Sequence, residues 1–400
     1  MATLFLLLIY LTFVSLGLPD SLLGSAWPVM RIDLGAGLDQ AGLISVLVTI
    51  GTVLSSLMCE KVVKRFGTGK VTTVSVLATA AALLFASFGS SLPWLMVAAV
   101  PLGLGGGAVD AALNNYVALH YKSRHMNWLH CFWGVGAFIG PLVMSAFLSQ
   151  GGNWRGGYRS IGFVQLGISA LLILSLPLWK TMNTGSADEK AAEGAEAEAL
   201  PGGAPPEAVN ALRLPGVKSA MATFTLYCAA EYVVGLWGAS FLVESRHFTE
   251  AGAASAVSFF YIGIAAGRFL AGIISSKVSS KALIRLGILV VSGASLLLLL
   301  PVGGALPPAA LLLLGLGCAP IYPAMIHETP ARFGAAYSQK IIGWQMASAY
   351  LGSTLVPPVM GFIAARAGLG VLPVCLCIFG AGMLLCSEHI NRVAGNSKRP

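Results

Sequence analysis

The chain has 400 residues, of which 56% are hydrophobic and only 10% charged, and its net charge is +8. Soluble globular domains carry about 25% charged residues, so the composition excludes that class. The apolar stretches run to about 20 residues, the length of a membrane-crossing helix, and not to the short alternating segments of a membrane β-barrel. We therefore expect a helical protein that crosses the lipid bilayer many times.

The basic residues and the cysteines suggest no further class of partner. Most Lys and Arg residues lie in short loops, so the positive charge does not indicate a nucleic-acid partner. The seven cysteines are an odd number, and Cys375 and Cys377 have no acidic or His neighbour that would complete a metal site. We expect small packing residues, with no disulfide, metal or cofactor.

Twelve apolar segments predict twelve transmembrane helices. The first segment, from Met1 to Trp27, has no basic start and no cleavage site, so we expect a membrane span and not a cleaved signal. In chain order the predicted spans cover residues 4–28, 39–59, 70–90, 93–119, 127–149, 160–180, 216–243, 251–276, 282–301, 305–327, 337–365 and 369–390.

A change in composition divides the spans into two groups of six. The segment between them is rich in Ala, Gly and Pro and holds six acids, a composition typical of a solvated linker: Asp188, Glu189, Glu193, Glu196, Glu198 and Glu207. We predict an N-terminal six-helix bundle over residues 1–180, a linker over 181–215 and a C-terminal six-helix bundle over 216–400.

The distribution of Lys and Arg predicts the orientation in the membrane. With both termini inside, 18 of these residues fall on the inner side and only five on the outer side, namely Arg31, Arg155, Arg159, Arg246 and Arg366. This bias predicts a bacterial-type cytoplasmic membrane protein whose termini and linker are cytoplasmic.

The two groups of six also share an internal repeat. Asp20 and Glu231 are 211 residues apart, and each is followed by Gly four positions later; Gly140 and Gly352 are 212 residues apart. Such a steady offset predicts two parallel bundles related by an axis along the membrane normal. In transporters of this kind the substrate binds between the bundles near the midplane.

Four motifs carry a family resemblance. GLGGGAVDAALN at 103–114 resembles the fourth helix of the fucose:proton symporter family, and NWLHCFWGVGA at 127–137 is similar to the fifth helix of its sodium-dependent glucose transporter branch. Tyr227-x-x-x-Glu231 followed by Trp237, and GCAPIYP at 317–323, look like the seventh and tenth helices. The resemblance covers nearly the whole chain outside the linker and implies the major facilitator fold and transport of a sugar or polyol.

One loop departs from that superfamily. Between the second and third spans the usual D-[RK]-x-G-R-[RK] is replaced by KRFGTGK at 64–70, where Lys64 stands in place of the acid and Glu60 lies one turn earlier. A gating contact based on this motif is therefore not carried over.

Asp110 and Asn114 are the first candidate site pair. They are four residues apart and share one helical face. Asp110 is expected to bind a proton or a sugar hydroxyl, with Asn114 as its partner. The alternative is a structural acid paired with a cation, but the only mid-span Arg, Arg268, lies in the other half, where we expect a structural or gating role near the cytoplasmic end.

Asp20 and Trp27 form a second pair, seven residues apart on one stripe of the first span. Pro19 predicts a break or kink at Asp20, and kinks in transporters tend to face cavities. We expect Asp20 to bind a proton and the substrate, and Trp27 to stack on a sugar. The alternative is that Asp20 lies high enough to reach outer water.

His130 and Trp133 lie early in the fifth span. A lone His in an apolar helix is often a packing residue, but a relay with Asp110 would couple protons to transport, because His titrates near neutral pH. We expect His130 to serve both proton coupling and substrate binding, and Trp133 to stack on the substrate.

The second half supplies four further candidates for substrate binding: Tyr227, Glu231, Trp237 and Gln345. Glu231 would bind sugar hydroxyls or hold a closed state, and Trp237 lies six residues on, so it points elsewhere unless the helix unwinds. Gln345 would bind hydroxyls or, equally well, join two helices.

Together these features predict a secondary active transporter, and not an enzyme, that moves a sugar or sugar-like solute by alternating access. Proton symport is favoured over sodium symport, since protonation of Asp20 or Asp110 removes the cost of carrying a charge through a dry state. A proton-antiport exporter of drugs or amphiphilic molecules is the alternative. A sensor or scaffold is disfavoured by the short loops, and we expect a monomer.

Overall fold

The computed structural model describes residues 2–121, 123–151, 153–193, 211–275 and 277–396. Within these ranges the chain is helical apart from turns and contains no strand. Twelve helical segments are long and apolar enough to cross a membrane, in the predicted order and near the predicted positions. The prediction of an all-α membrane protein with twelve transmembrane helices is confirmed.

The N-terminal half contains the first six spans, the first of them in two pieces. Its helices are α1 (Ala2–Asp20), α2 (Leu22–Asp33), α3 (Gln40–Phe66), α4 (Thr68–Ala86), α5 (Leu92–His120), α6 (Ser123–Leu148) and α7 (Trp154–Glu193). Helix α7 continues past the predicted end of the sixth span at residue 180, because the Ala, Glu and Lys residues of 187–193 are good helix formers. Residues 194–210 of the predicted linker lie outside the described residues.

The C-terminal half contains the other six spans, and here the tenth is in two pieces. A short 3₁₀ turn over Ala211–Arg213 precedes the helices α8 (Val217–Arg246), α9 (Glu250–Ile274), α10 (Ser280–Leu299), α11 (Leu306–Cys318), α12 (Ile321–Phe333), α13 (Ala335–Ala367) and α14 (Val371–Asn396). The break before α12 falls at Pro320, whose ring and missing N–H interrupt the helix.

The helix packing repeats between the two halves. Helix α1 packs on α6 and α3 on α5, and in the same way α8 packs on α13 and α9 on α11. Across the interface α6 packs on α9, α13 packs on α3, and α2 meets α8. This is the arrangement expected for two parallel bundles related by an axis along the membrane normal.

One end of the molecule is closed. We call the end that holds Phe5 and Ile390 the terminal end and the opposite end, which holds Asp33 and Arg246, the distal end. Arg31 and Glu244 form an ion pair of 2.6 Å across the two halves at the distal end. Ser145 Oγ also donates a hydrogen bond of 2.7 Å to the carbonyl of Ala251 there.

Glycines allow the backbones to meet at this closed end. A Cβ on Gly24 of α2 would lie 2.9 Å from the Cα of Leu236 on α8, and one on Gly42 of α3 would lie 2.8 Å from the Cα of Pro358 on α13. Side chains at these two positions would push the halves apart. The distal closure therefore depends on close packing as well as on polar contacts.

The seven cysteines are all free thiols in this structure. Cys59, Cys228 and Cys318 are buried and the other four are half-buried. They pack as small apolar residues among the helices.

Candidate functional site

The first span is broken beside Asp20, as the preceding proline predicts. Helix α1 ends at Asp20, Ser21 is a turn residue, and α2 begins at Leu22. Pro19 lies inside the last turn of α1, where its ring disfavours a continuous helix. The break falls near the middle of the span Leu4–Asp33 and thus at mid-depth in the bundle.

Asp20 lines a solvent-accessible space between the halves. The residue is exposed although it lies at mid-depth. Its Oδ2 accepts a hydrogen bond of 2.8 Å from Nε1 of Trp133 on α6, and its charge is close enough to interact with that of Asp110 on α5. The side chain therefore points into the bundle, and its exposure marks an internal cavity and not contact with lipid.

Asp110 and Asn114 form the expected pair on α5. Nδ2 of Asn114 donates a hydrogen bond of 2.9 Å to Oδ1 of Asp110. Oδ1 of Asn114 is buried and has no hydrogen-bond partner. The pair therefore leaves one amide acceptor free, a group that a solute hydroxyl could satisfy.

The glycines before Asp110 allow neighbouring helices to pack closely. A Cβ on Gly105 would lie 2.7 Å from the carbonyl oxygen of Ser75 on α4, and one on Gly107 would lie 2.5 Å from Oγ of Ser55 on α3. This close packing fixes α5 against two helices. It thereby holds Asp110 and Asn114 in place at the cavity.

Glu231 faces a cation that sequence reasoning assigned elsewhere. Arg268 Nη2 lies 4.0 Å from Glu231 Oε1, and both side chains are mostly buried. The Cα of Arg268 does lie towards the terminal end of α9, but its long side chain reaches mid-depth. The prediction of a structural or gating residue near the cytoplasmic end was therefore wrong about its place.

Trp133 connects the two halves at this depth. Its ring holds the guanidinium of Arg268 at 5.3 Å from the ring centroid, within the range of a cation–π contact. The edge of Tyr261 on α9 packs against the same indole at 6.4 Å. Because Trp133 also binds Asp20, one side chain links an acid of the N-terminal half to a cation of the C-terminal half.

His130 does not form the predicted relay with Asp110. No hydrogen bond joins these two described residues, and the imidazole instead packs edge-on against Phe13 at 5.7 Å. It lies on the terminal side of Trp133, near enough to Arg268 for their charges to interact. The contacts of His130 in this structure therefore fit the packing role that the sequence left open as an alternative.

Trp27 and Trp237 are core residues in this structure and not cavity walls. Both rings are fully buried. Nε1 of Trp27 donates to the carbonyl of Leu38 at 2.9 Å, and Nε1 of Trp237 donates to the carbonyl of Pro357 at 2.8 Å. The expectation that they stack on a sugar does not fit, because no face of either ring is accessible here.

Gln345 and Tyr227 have different environments. Gln345 is buried, and its Oε1 accepts a hydrogen bond of 3.1 Å from Thr329 on α12, so it joins two helices. This is the interhelical alternative named above. Tyr227 is also buried, and its hydroxyl lies beside Glu231 and interacts with Arg268.

Several tyrosines at the cavity were missed by sequence reasoning. Tyr232 and Tyr350 are 48% and 41% exposed, yet Tyr232 interacts electrostatically with Asp20 and Tyr350 with Asp110, so both face the cavity. Tyr261 and Tyr322 lie near the same acids. Tyr322 lies in the GCAPIYP motif at 317–323, but the other three belong to no motif, and the nearby acids are what identify them.

The atypical loop after the second span forms a local pair. Lys64 Nζ lies 2.5 Å from Oε1 of Glu60, one turn earlier on α3, and both side chains are well exposed. The pair is internal to one helix and joins no other helix. Among the described residues there is also no cluster of three or more His, Cys, Asp or Glu side chains that suits a metal.

The model of the Major Facilitator Superfamily matches residues 9–337. The chain belongs to this superfamily. It is 24% identical over 284 residues to "Bypass of stop codon protein 6" of Saccharomyces cerevisiae, a match that covers 66% of this chain and 56% of the relative. It is 28% identical over 138 residues to the niacin transporter NiaP of Acinetobacter baylyi, with 34% and 30% covered. The chain thus spans about half or less of these relatives.

Solved structures of superfamily transporters share the fold. A bacterial homologue of the human lysosomal transporter Spinster, inward-facing and occupied, has a TM-score of 0.68 at 14% identity, with 98% of this chain and 95% of that one covered. The inward-open xylose transporter XylE from E. coli has 0.72 at 13% identity, with 98% and 96% covered. The nucleoside transporter NupG has 0.70 at 14% identity, with 96% and 98% covered. At these identities the likeness shows the fold alone.

Proposed function

We propose that this chain is a proton-coupled symporter of a sugar or sugar-like polyol that works by alternating access. The observation that carries the proposal is the pair Asp20 and Asp110. The charge of Asp110 acts on that of Asp20, and no described cation forms an ion pair with either of them.

Two carboxylates without a cation favour proton uptake. Their charges repel each other, and an apolar surrounding makes each charge costly, so a proton on one acid relieves both effects. When the cavity closes and water leaves, this relief becomes larger. Proton binding would therefore favour the closed, loaded states that a symporter must pass through.

The polar groups around these acids suit a hydroxylated solute. Asn114 Oδ1 is an unpartnered acceptor in the N-terminal half, and the Tyr227 hydroxyl beside Arg268 is a polar group in the C-terminal half. Sugars carry hydroxyls that both donate and accept, and they present C–H faces to aromatic rings such as Tyr232 and Tyr350. The motif resemblance to the fucose:proton symporter family supports the same solute class.

The closed distal end fits one state of the transport cycle. If the termini are cytoplasmic, as the Lys and Arg distribution predicts, the closed end faces outward and the cavity opens inward. Proton and solute would be released from this state. The proposal places the protein in a bacterial-type cytoplasmic membrane.

A thermal-shift screen tests the solute and the coupling ion together. Purified protein is heated with D-glucose, L-fucose, D-xylose and mannitol at acidic and alkaline pH, with and without sodium. We expect one of these solutes to raise the melting temperature in a pH-dependent, sodium-independent manner. A shift that requires sodium would contradict proton coupling, and no shift with any sugar would contradict the solute class.

Asp110→Asn tests the coupling role. In proteoliposomes we expect this variant to lose uptake driven by a pH gradient while it keeps exchange of the solute found in the screen. Glu388→Gln is the matched control, since Glu388 pairs with Arg285 outside the cavity. Equal loss of uptake and exchange would assign Asp110 to solute binding or to structure.

The main alternative is a proton-antiport exporter of cationic amphiphiles. In the part of the chain that the structure describes, Asp20, Asp110 and Glu231 lie in this region with Arg268 beside Glu231, and an organic cation could take the place of protons. Ethidium in the same screen separates the two proposals. Stabilisation by ethidium but by no sugar would favour the exporter.

A further inference from the structure

Trp133 occupies a position that neither substrate stacking nor packing accounts for. Its indole N–H donates a hydrogen bond of 2.8 Å to Oδ2 of Asp20. The face of its ring makes a cation–π contact with Arg268 of the other half. The ring is thus already occupied by a cation and by the edge of Tyr261. A sugar has less access to it than the sequence suggested.

The backbone around Trp133 is fixed against the other half. A Cβ on the next residue, Gly134, would lie 2.8 Å from the Cβ of Ala265 on α9. Cys131 Sγ contacts the carbonyl of the same Ala265 at 3.9 Å. Because α6 and α9 are held together here, a change at Trp133 would act through rotation of its side chain and not through movement of the helix.

Arg268 is held only loosely by its acidic partner. The distance of 4.0 Å to Glu231 is at the outer limit of an ion pair, and the Tyr227 hydroxyl also interacts with the guanidinium. The face of Trp133 is therefore one of three groups that hold the guanidinium, beside Glu231 and Tyr227. If the ring turned, the cation would be free to close on Glu231 or on a solute.

We propose that Trp133 is a positioning residue that transmits the protonation state of Asp20 to the Arg268–Glu231 pair of the opposite half. The inference rests on the proposed role of Asp20 in proton coupling. A carboxylate accepts the indole N–H strongly, whereas a neutral carboxylic acid accepts it less strongly. Protonation therefore loosens the indole and releases Arg268 from its face.

The groups that face Asp20 allow this role. They come from four helices and, in the described part of the chain, include no cation: Trp133 on α6, Asp110 on α5, Tyr232 on α8 and Tyr261 on α9. Asp110 is the only other carboxylate among them, and its repulsion makes the charge on Asp20 sensitive to proton uptake. Arg268 lies beyond the indole, so the ring is the direct link between the two charges.

The test uses distances between the terminal ends of the two halves and needs no solute. Lys61 on α3 and Lys281 on α10 are both exposed and lie in different halves. Spin labels at Lys61→Cys and Lys281→Cys, with the seven native cysteines replaced, report their separation in nanodiscs at acidic and alkaline pH. We expect the otherwise unaltered protein to change its distance distribution with pH.

Trp133→Phe keeps an aromatic face for Arg268 but removes the N–H. We expect it to lose most of the pH-dependent change, and Asp20→Asn to keep the acidic distribution at both pH values. Trp133→His, which restores a ring N–H, should recover part of the change. Trp128→Phe is the matched control, because Trp128 lies on the same helix, is 42% exposed and packs on His125 away from the cavity.

The outcomes separate the two proposals. A full pH-dependent change in Trp133→Phe, with none in Asp20→Asn, would overturn the role of Trp133 and leave the proton site intact. A change in Asp20→Asn equal to that of the parent, or no change in the parent, would remove the proton site and this inference with it. If Trp133→Phe shifts the melting temperature equally at both pH values and keeps the pH-dependent change in distance, Trp133 has a packing role only.

Discussion

The two halves of the molecule hold their central acids in different ways. In the N-terminal half, Asp20 and Asp110 bind neutral donors, the indole of Trp133 and the amide of Asn114. In the C-terminal half, Glu231 faces the permanent charge of Arg268. The repeat placed acids at matching positions, but among the described residues the two acids of the N-terminal half have no cation as partner, and it is there that we propose proton binding.

The residues that build the scaffold show no such division. Trp27 and Trp237 are 210 residues apart, close to the repeat offset, and each is buried with its N–H on a backbone carbonyl. The same holds for glycine contacts: a Cβ on Gly140 would lie 2.6 Å from the carbonyl oxygen of Leu18, and one on Gly352 would lie 3.1 Å from the Cα of Thr225. The packing contacts of the two halves are therefore alike, whereas the partners of their central acids differ.

The largest effect is expected from Gly24→Val. A side chain here meets the backbone of α8 at Gly235 and Leu236, which cannot move aside without separating the halves. We expect nearly complete loss of transport and a distal end that stays open, measured as uptake and as distal spin-label distances. Gly106→Ala is the control, since its nearest neighbour is a flexible Leu16 side-chain atom at 3.7 Å. Normal transport by Gly24→Val would show that this contact does not close the distal end.

Opposite signs of stability change should distinguish the acids of the two halves. Glu231→Gln leaves the mostly buried Arg268 without its anion, and we expect a loss of about 3 kcal/mol, at the low end for a broken buried pair. Asp20→Asn removes a carboxylate that repels Asp110, so we expect the stability to stay within about 0.5 kcal/mol or to increase. Melting temperatures at neutral pH measure both, and a similar loss in the two variants would refute the contrast between the halves.

Equal effects are expected from the repeat-related tryptophans. Trp27→Phe and Trp237→Phe each remove a buried hydrogen bond and part of a ring, at a cost of about 2 kcal/mol. Neither ring reaches the cavity, so the solute concentration that gives half of the maximal shift in melting temperature should be unchanged. A weaker solute affinity in either variant would indicate that this tryptophan contributes to solute binding.

We call the α6–α9 contact and the α13–α3 contact between the halves the two interface seams. The smallest effect is expected from the difference in polar contacts between these two seams. The seam of α6 with α9 has the hydrogen bond from Ser145 to Ala251, while the seam of α13 with α3 relies on the packing of Gly42 on Pro358. Ser145→Ala should shift the balance towards the distal-open state by about 1 kcal/mol. Distal spin-label distances measure this shift, and the absence of any change would mean that the two seams are equivalent.

Sequence reasoning predicted the fold well because membrane spans have a strong and simple signal. Length and apolarity placed twelve helices, and Pro19 correctly predicted the break at Asp20. The end of α7 was missed, since a helix that leaves the membrane carries no apolar signal. The domain boundaries around the linker remain predictions.

The site was predicted only in part, because sequence gives the face of a helix more readily than the reach of a side chain. The spacing of Asp110 and Asn114 predicted their pairing, which the structure shows. Nothing in the sequence indicates that Trp133 would bind Asp20, or that Arg268 would extend to mid-depth, since both contacts depend on how separate helices cross. The sequence placed Trp27 on the same helical stripe as Asp20, which assumes one continuous helix. The chain is broken between the two residues, so they do not share a face.

Among the described residues, the ion pair of Arg31 with Glu244 is the one that joins the two halves, and it lies at the closed end. It is partly exposed, with side chains 26% and 31% accessible, and it joins the two halves directly. Exposed pairs of this kind are weakened by dissolved salt, by up to about 1 kcal/mol. The balance between the two orientations of the protein would then respond to the ionic strength of one compartment only, so that salinity on that side would set how often the cycle turns over.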